Sequence, residues 1–323
     1  MEHEIQLTSF QWSELIRLRS RFLSEDIEGG SDYWTSFEVL EAYHHTFAQR
    51  IGWKWDAVMR EISNKGAMST LSKINLLDYG CGTGIAAEKI IGILGQDRVE
   101  KIFLWDRSTV ALKYSCERLT QLYPNLKIVS CSRLEDATEA NVVVLSHILN
   151  EIEKSELETL KHAISKSEWV VWVEPGTRET SQRLIQIRKL MLPEFQVLAP
   201  CPHQLECGMM NSENMKHWCH FFAAPPGQVF TSSFWAEFGK KMKIDLRSLP
   251  TSFLCLNKRS LDESKNRESS RVIGRPRFYK GFGKFLVCDE RGVSEVKLLE
   301  RTNREVFKEG KKDVFENYLR RRE

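Results

Sequence analysis

Five apolar runs constrain the fold of this chain more than any other feature. They are "INLLDYG" (74–80), "KIFLWD" (101–106), "LKIVSC" (126–131), "NVVVLSH" (141–147) and "WVVWVEPG" (169–176). Stretches with three- and four-residue apolar spacing accompany them at 84–95, 108–122, 152–166 and 179–191. Near-continuous apolar strands belong to a sheet covered on both faces, and their alternation with helices makes that sheet parallel. The fold class is therefore α/β, with a doubly wound sheet. "TSFLCLNK" (251–258) reads as a late strand of the same sheet.

The flanks differ from this frame. Residues 1–70 read as an N-terminal helical region, from the helical spacing in "FEVLEAYHHTFAQRIGWKWDAVMREI". The α/β domain then runs over 71–260 and carries a Cys-rich insertion at 199–222. After it, "DESKNRESS" (262–270) reads as an exposed linker. Residues 261–323 form a small C-terminal β extension with a basic tail, "EGKKDVFENYLRRRE".

Composition excludes several classes. The chain has 323 residues, 41% hydrophobic and 28% charged, as expected of a globular protein with a real core. No stretch approaches the ~20 apolar residues of a membrane span. The start, "MEHEIQLTSFQWSELIRLRSRF", has early acids and no apolar run, so it reads as neither a secretory signal nor a transit peptide. The expected compartment is the cytoplasm, with no membrane partner and a monomeric chain. Disulfides are not expected there. Net charge is only +3, but Lys240 to Arg277 is locally basic. Such a run is usually solvated surface, and the functional alternative is a phosphate-backbone contact.

The loop "LLDYGCGTGIAAEK" places Asp78, Gly80, Gly82 and Gly84 between a strand and a helix. Glycines there permit a tight turn and close approach of a ligand. The spacing is G-x-G-x-G with an acid two residues ahead, unlike the G-x-G-x-x-G of dinucleotide sites. It resembles motif I of class I S-adenosylmethionine-dependent methyltransferases. That resemblance implies a loop packed against the methionine and sugar of the cofactor. Asp106 ends the next strand and is placed for the ribose hydroxyls. Glu135 or Asp136, after the third strand, is within reach of an adenine amine. The alternative is a loop that keeps the fold without the cofactor. No catalytic residue stands out: "LSHILNEI" occupies the place after the fourth strand and lacks the motif of amino-directed enzymes. Asn150 and Glu151 face a substrate pocket or cap the next helix, and Cys201 is a weak candidate nucleophile.

"APCPHQLECGMMNSENMKHWCHFF" (199–222) gathers Cys201, Cys207 and Cys219. Their spacing, C-x5-C-x11-C, is neither that of a zinc finger nor that of a ferredoxin. Read alone, the thiols are metal ligands or core residues. A fourth ligand would be His203, His217, His220 or a distant cysteine such as Cys288 in "FLVCDERG". Thiolates select soft ions, iron–sulfur or zinc.

Several segments in order carry a family resemblance: "DYGCGTG", "LSHILNEI", "VEPGTRETSQRLIQIRKLM", "LAPCPHQLECG", "WCHF", "TSFLCLNK" and "GKFLVCDERG". Over roughly residues 35–295 they resemble the small-ribosomal-subunit assembly factors of mitochondria and bacteria described as methyltransferase-like, or predicted rRNA methylases. The resemblance implies a class I S-adenosylmethionine-dependent methyltransferase-like fold and binding to the small ribosomal subunit and its rRNA. It implies a [4Fe-4S] cluster on Cys201, Cys207, Cys219 and Cys288, with zinc as the alternative metal. It implies S-adenosylmethionine as a possible cofactor and leaves methyl transfer itself open. Two departures are visible: Gly208 stands where the family usually has proline after the second cysteine, with a long gap "GMMNSENMKH" before Cys219, and the end "EGKKDVFENYLRRRE" lacks the family's usual closing signature.

Overall fold

The computed structural model describes residues 5–23, 32–66, 68, 71–152, 156–258, 269–310 and 318–320. The linker expected at 262–270 and the tail at 309–323 lie largely outside these residues. The chain packs as two compact units, one of residues 1–173 and 223–249, the other of 174–222 and 250–323.

The first unit opens with α1 (Ser9–Leu23), α2 (Phe37–Tyr43), a π-helical turn (His44–Ala48) and α3 (Gln49–Asn64). Helix α1 buries Trp12, Leu15 and Leu18, three residues apart along one face. The Ser36 hydroxyl caps α2 by accepting the Val39 N–H at 3.3 Å. Then come β1 (Ile74–Tyr79), α4 (Ile85–Leu94), β2 (Val99–Trp105), α5 (Thr109–Leu122), β3 (Lys127–Ser130), β4 (Val142–Ser146), α6 (Glu156–Ile164) and β5 (Trp169–Pro175). Each of the five apolar runs read from the sequence is a strand.

All five strands are parallel, with β1 between β2 and β4, β3 beyond β2, and β5 beyond β4. The order β3-β2-β1-β4-β5 reverses direction between β1 and β4. Right-handed crossovers then put the connecting helices on opposite faces to the two sides of that point. This is the doubly wound, class I methyltransferase-like arrangement, and its ligand crevice lies outside the carboxyl ends of β1 and β4. Strand β4 is buried along Val142–Leu145, as a two-faced parallel strand must be.

A late helix of this unit, Ser233–Met242, had no counterpart in the sequence reading. It buries Phe234, Phe238 and Met242 at four-residue spacing against Trp12, Leu15 and Ala42.

The second unit holds α7 (Arg178–Met191), β6 (Gln196–Ala199), β7 (Phe221–Ala223) and β8 (Leu249–Asn257). Strand β8 pairs antiparallel with β6. The C-terminal part is a four-stranded sheet of β9 (Ser269–Tyr279), β10 (Phe282–Asp289), β11 (Gly292–Leu299) and β12 (Tyr318–Arg320), in the order β11-β10-β9-β12. Its pairs are antiparallel. Side chains alternate along β10: Phe285 and Val287 join one apolar cluster, Leu286 and Cys288 another. That alternation decides which face the cysteine takes. Among the described residues, no helix is long and apolar enough to cross a membrane.

Trp55 is fully buried and its indole N–H donates to the Ser146 hydroxyl at 2.9 Å, tying α3 to the end of β4. Trp55→Phe removes this hydrogen bond and should lower unfolding stability by about 1–2 kcal/mol. Trp55→Ala also leaves a cavity and should lose about 3–5 kcal/mol. Urea denaturation measures both, and equal losses for the two variants would contradict this assignment.

Candidate functional site

Each unit carries a cluster of polar or soft groups that its own packing does not satisfy. In the first, it sits where the strand order reverses. Strand β1 ends in Asp78 and Tyr79, and the loop beyond turns through Gly80, Gly82 and Gly84, all with positive φ (70°, 51° and 74°). Gly80 matters most: a Cβ there would lie 2.7 Å from Ile148 Cγ2, in the loop after β4. Any side chain would push the two strand ends apart.

Asp78 is fully buried. Its Oδ2 accepts the Ala87 N–H at 3.1 Å, while Oδ1 has no partner among the described residues. Burial pushes its carboxyl up to about 7, against the opposing Ala87 hydrogen bond. Asp106 follows β2. Its Oδ2 accepts the Gly82 N–H and its Oδ1 the Ser108 N–H, both at 2.8 Å. Burial raises this carboxyl too, and the two backbone donors oppose the shift. Each oxygen keeps a second lone pair, so the group is oriented and able to accept from a diol.

Asp136 is used differently. It is exposed, and its Oδ2 accepts the Arg133 N–H at 3.0 Å, capping the short turn Leu134–Ala137. Glu151 accepts the Tyr33 hydroxyl at 2.9 Å, and burial raises its carboxyl. Asn150 beside it is exposed.

In the second unit, four cysteines from three stretches of chain line one small apolar cavity, with Arg188 and Arg271 also in its wall. Cys201 lies in the loop after β6. Cys207 precedes the short turn Gly208–Met210. Cys219 is fixed through its backbone: its N–H donates to the Ser181 hydroxyl, and its C=O accepts from the Ser252 hydroxyl, both at 2.9 Å. Cys288 is opposite Val293 of β11 and Arg271 of β9. Its Sγ is 3.5 Å from His203 Nε2.

The close fit around Cys207 explains the glycine that follows it. A Cβ on Gly208 would lie 2.9 Å from the Val293 backbone nitrogen, so a proline ring at this position would collide with β11. Asn214 fastens the same contact by donating to the Gly208 C=O at 2.8 Å.

The electrostatics of this cavity are unusual for apolar packing. Burial pushes the thiols of Cys207, Cys219 and Cys288 up, and the neighbouring cysteines push them further. Arg188 opposes the shift at Cys207 and Cys288, and Arg271 opposes it at Cys219. Both arginines are almost fully buried, at 3% and 1% exposure. Arg188 is anchored by donating to the C=O of His203 at 3.0 Å and of Leu205 at 2.8 Å. The Arg271 guanidinium lies 4.1 Å from the centre of the Phe221 ring. Buried cations beside buried thiols suit sulfur carried as thiolate. The thiols surround a space rather than meeting at a point: among the described residues, no three His, Cys, Asp or Glu side chains are arranged to hold a single metal ion.

A family model described as the mitochondrial small ribosomal subunit Rsm22 matches residues 41–318. The chain belongs to this family. No curated protein sequence matches closely enough to name a nearer relative. Among solved structures, the chain is similar to magnesium protoporphyrin IX methyltransferase of Synechocystis with bound S-adenosylmethionine, at 12% identity and TM-score 0.39, over 79% of this chain and 100% of that one. It is also similar to TrmK of M. capricolum in complex with S-adenosylhomocysteine, at 8% identity and TM-score 0.35, over 62% and 68% of the two chains. The 16S rRNA methylase ArmA is a third, at 14% identity and TM-score 0.36, over 58% and 90%. The strand order carries the fold assignment without help from these likenesses. The family description is mitochondrial, whereas the start of the chain led to an expectation of cytoplasm.

In this Rsm22-family chain, Asp78, Gly80, Gly82, Gly84 and Asp106 come together at one crevice, and Asp136 is engaged in its own turn. Cys201, Cys207, Cys219 and Cys288 come together at one cavity, His203 stands beside it, and none of the pairs described here brings His217 or His220 to a thiol. Sequence reasoning missed Arg188 and Arg271. Arg188 left a signal: it shares the buried face of α7 with Leu184, Ile187 and Met191, an apolar frame in which a charge is out of place.

Asp78 makes stability pH-dependent. Its folded value, about 7, lies above its ordinary value of 3.8, so the unfolded chain ionises first as pH rises. Stability should fall between about pH 4 and 7, by a few kcal/mol at most, and level off above. Asp78→Asn should remove that fall. Urea titrations at pH 5 and 8 on both proteins check this, and an unchanged slope in the variant would reject the assignment.

Proposed function

We propose that this protein associates with the small ribosomal subunit through its rRNA, as a methyltransferase-fold factor whose second unit is braced by a [4Fe-4S] cluster. The observation that carries the proposal is the cavity ringed by Cys201, Cys207, Cys219 and Cys288. In a four-iron cluster each cysteine binds its own iron, so the thiols must be spread around a space. The ring of thiols has that form, and it favours a cluster over a single zinc ion. Arg188 and Arg271 supply positive charge beside a centre of net negative charge. A bound cluster provides folding free energy and holds its thiolates deprotonated. The chain's own part is to bring β10 against the loop 201–219.

RNA association is supported by charge. Over Ser269–Lys308 ten Lys and Arg face five Asp and Glu, which makes this sheet region basic. Arg275, Lys280, Lys297, Arg301 and Arg304 are exposed. Beside them Tyr279 is 47% exposed and stacks on Phe282 with ring centres 4.8 Å apart. Basic side chains around accessible rings suit a single-stranded RNA backbone and its bases. Partner and compartment go together: the protein acts as one chain per subunit, in whichever compartment holds that ribosome, cytoplasm or mitochondrial matrix.

S-adenosylmethionine binding in the first unit is part of this reading. The unpartnered Asp78 oxygen and the oriented Asp106 carboxylate support it. When bound, the cofactor supplies an activated methyl group. The same observation favours the second reading, an active rRNA methyltransferase.

Tagged protein run on a sucrose gradient with dissociated ribosomes should migrate with free small subunits and leave them as salt rises. Binding to a fragment of small-subunit rRNA should weaken linearly in log–log salt plots, and Arg275→Ala and Lys297→Ala should each reduce the slope by about one. Migration at the top of the gradient at low salt would reject the ribosomal reading.

A further inference from the structure

The stretch Trp218–Phe222 divides its side chains between two sides. Cys219 and Phe221 line the thiol cavity, and Trp218, His220 and Phe222 are absent from its wall. Successive side chains of an extended chain point to opposite sides, so these three half-buried rings stand together. Trp218 and His220 stack with ring centres 4.7 Å apart and planes at 19°. His220 meets Phe222 edge-on at 5.2 Å. A cation closes each end of the row. The guanidinium of Arg178, the first residue of α7, lies 5.7 Å from the centre of the Trp218 ring, and that of Arg275 in β9 lies 4.4 Å from the centre of the Phe222 ring. Both arginines are exposed.

The row is held in place from within the unit. The Trp218 indole N–H donates to the Gly176 C=O at 2.9 Å. His220 Nδ1 lies 3.0 Å from the Trp218 C=O, and a carbonyl only accepts, so Nδ1 donates. The His220 ring rests on Gly274, which has φ of 65° and where a Cβ would lie 3.0 Å from His220 Cε1. Arg178 Nη2 donates to the Lys216 C=O at 3.0 Å. Arg275 makes no hydrogen bond or ion pair among the described residues, so its N–H edge is open to a ligand.

Charge and shape together say what fits. Lys216, Arg277 and Arg178 act on His217 beside the row, together with Glu295. That acid is already paired with Arg277 and Lys284. Fixed cations in surplus take an anionic chain. A guanidinium seated on a ring asks for more, because its other face is free for a second planar group. An unpaired nucleotide supplies both parts, a phosphate for the N–H edge and an uncovered base for the face. In a duplex each base is covered by its neighbours, and the phosphate alone is on offer.

We propose that Arg275 on Phe222 and Arg178 on Trp218 each take one unpaired nucleotide, base against the guanidinium and phosphate against its edge, so that this row selects single-stranded RNA over duplex. The proposal rests on the RNA reading above and adds the contact that sets strand preference. That reading needs only charge; this one needs the rings.

Fluorescence anisotropy with a labelled oligoadenylate of about twelve nucleotides, alone and annealed to oligouridylate, tests it. The wild type should bind the single strand about tenfold more tightly than the duplex. Arg275→Lys keeps the charge and loses the plane. It should weaken single-strand binding about three- to tenfold and leave the salt slope as it was. Phe222→Leu removes the ring and should cost the same. The double variant should lose no more than the larger single loss, since both act through one seated guanidinium. Urea unfolding midpoints matching the wild type verify the fold of each variant. Equal wild-type affinity for single strand and duplex overturns the proposal. So does an Arg275→Lys variant that binds like the wild type, or single losses that add in the double variant. Displacement of the RNA by polyglutamate at equal charge also overturns it, in favour of an acidic protein segment. Absence of binding to either RNA at low salt rejects the RNA reading and this inference together.

Discussion

Apolar burial of a thiol costs little while the proton stays on and much once it leaves. The second unit gathers four thiols around one cavity and sets two nearly fully buried arginines beside them. Arg188 is held there by the carbonyls of His203 and Leu205, and Arg271 lies over the Phe221 ring. The proposed cluster would set thiolates, and a net negative charge, beside these cations. The rest of the unit follows from bringing those groups together. The loop 201–219 must approach β11 closely enough to require Gly208, α7 must give an apolar position to Arg188, and β10 must turn Cys288 away from Phe285 and Val287.

The first unit follows a different logic. Its sheet is sound by backbone pairing alone, and one group of its unsatisfied atoms gathers where the strand order reverses. Asp78, Arg50 and His147 each hold a buried polar atom with no partner among the described residues. Such atoms weaken a fold unless something else completes them. Asp78 leads into the glycine turn and His147 follows the neighbouring strand β4, at the crevice where parallel sheets of this order bind ligands. The left-handed backbone of His147, with φ of 56°, belongs to the same place.

Much of this was legible from the sequence. The five parallel strands were, since a strand covered on both faces must be apolar along its whole length. The glycine loop was legible because only a few residue types tolerate its dihedrals. Strand β6 was missed, as four residues give no period to count. The helix Ser233–Met242 was missed because its apolar face is short and follows a loop. The local cap that Asp136 makes was not read from the sequence: a carboxylate three residues from a free N–H is readily captured by it. Lys54 and His147 lie 93 residues apart, and no local pattern announces their contact. Cys288 was one of several candidate fourth ligands until the family resemblance singled it out, because its face is fixed by pairing in β10 rather than by spacing.

The central claim is that the four thiols hold iron and sulfide. Iron and acid-labile sulfide, counted on protein purified without oxygen, test it most directly. The account predicts a brown protein with about four irons and four sulfides per chain. A colourless protein with one zinc per chain, or with no metal and four freely titrating thiols, would contradict it.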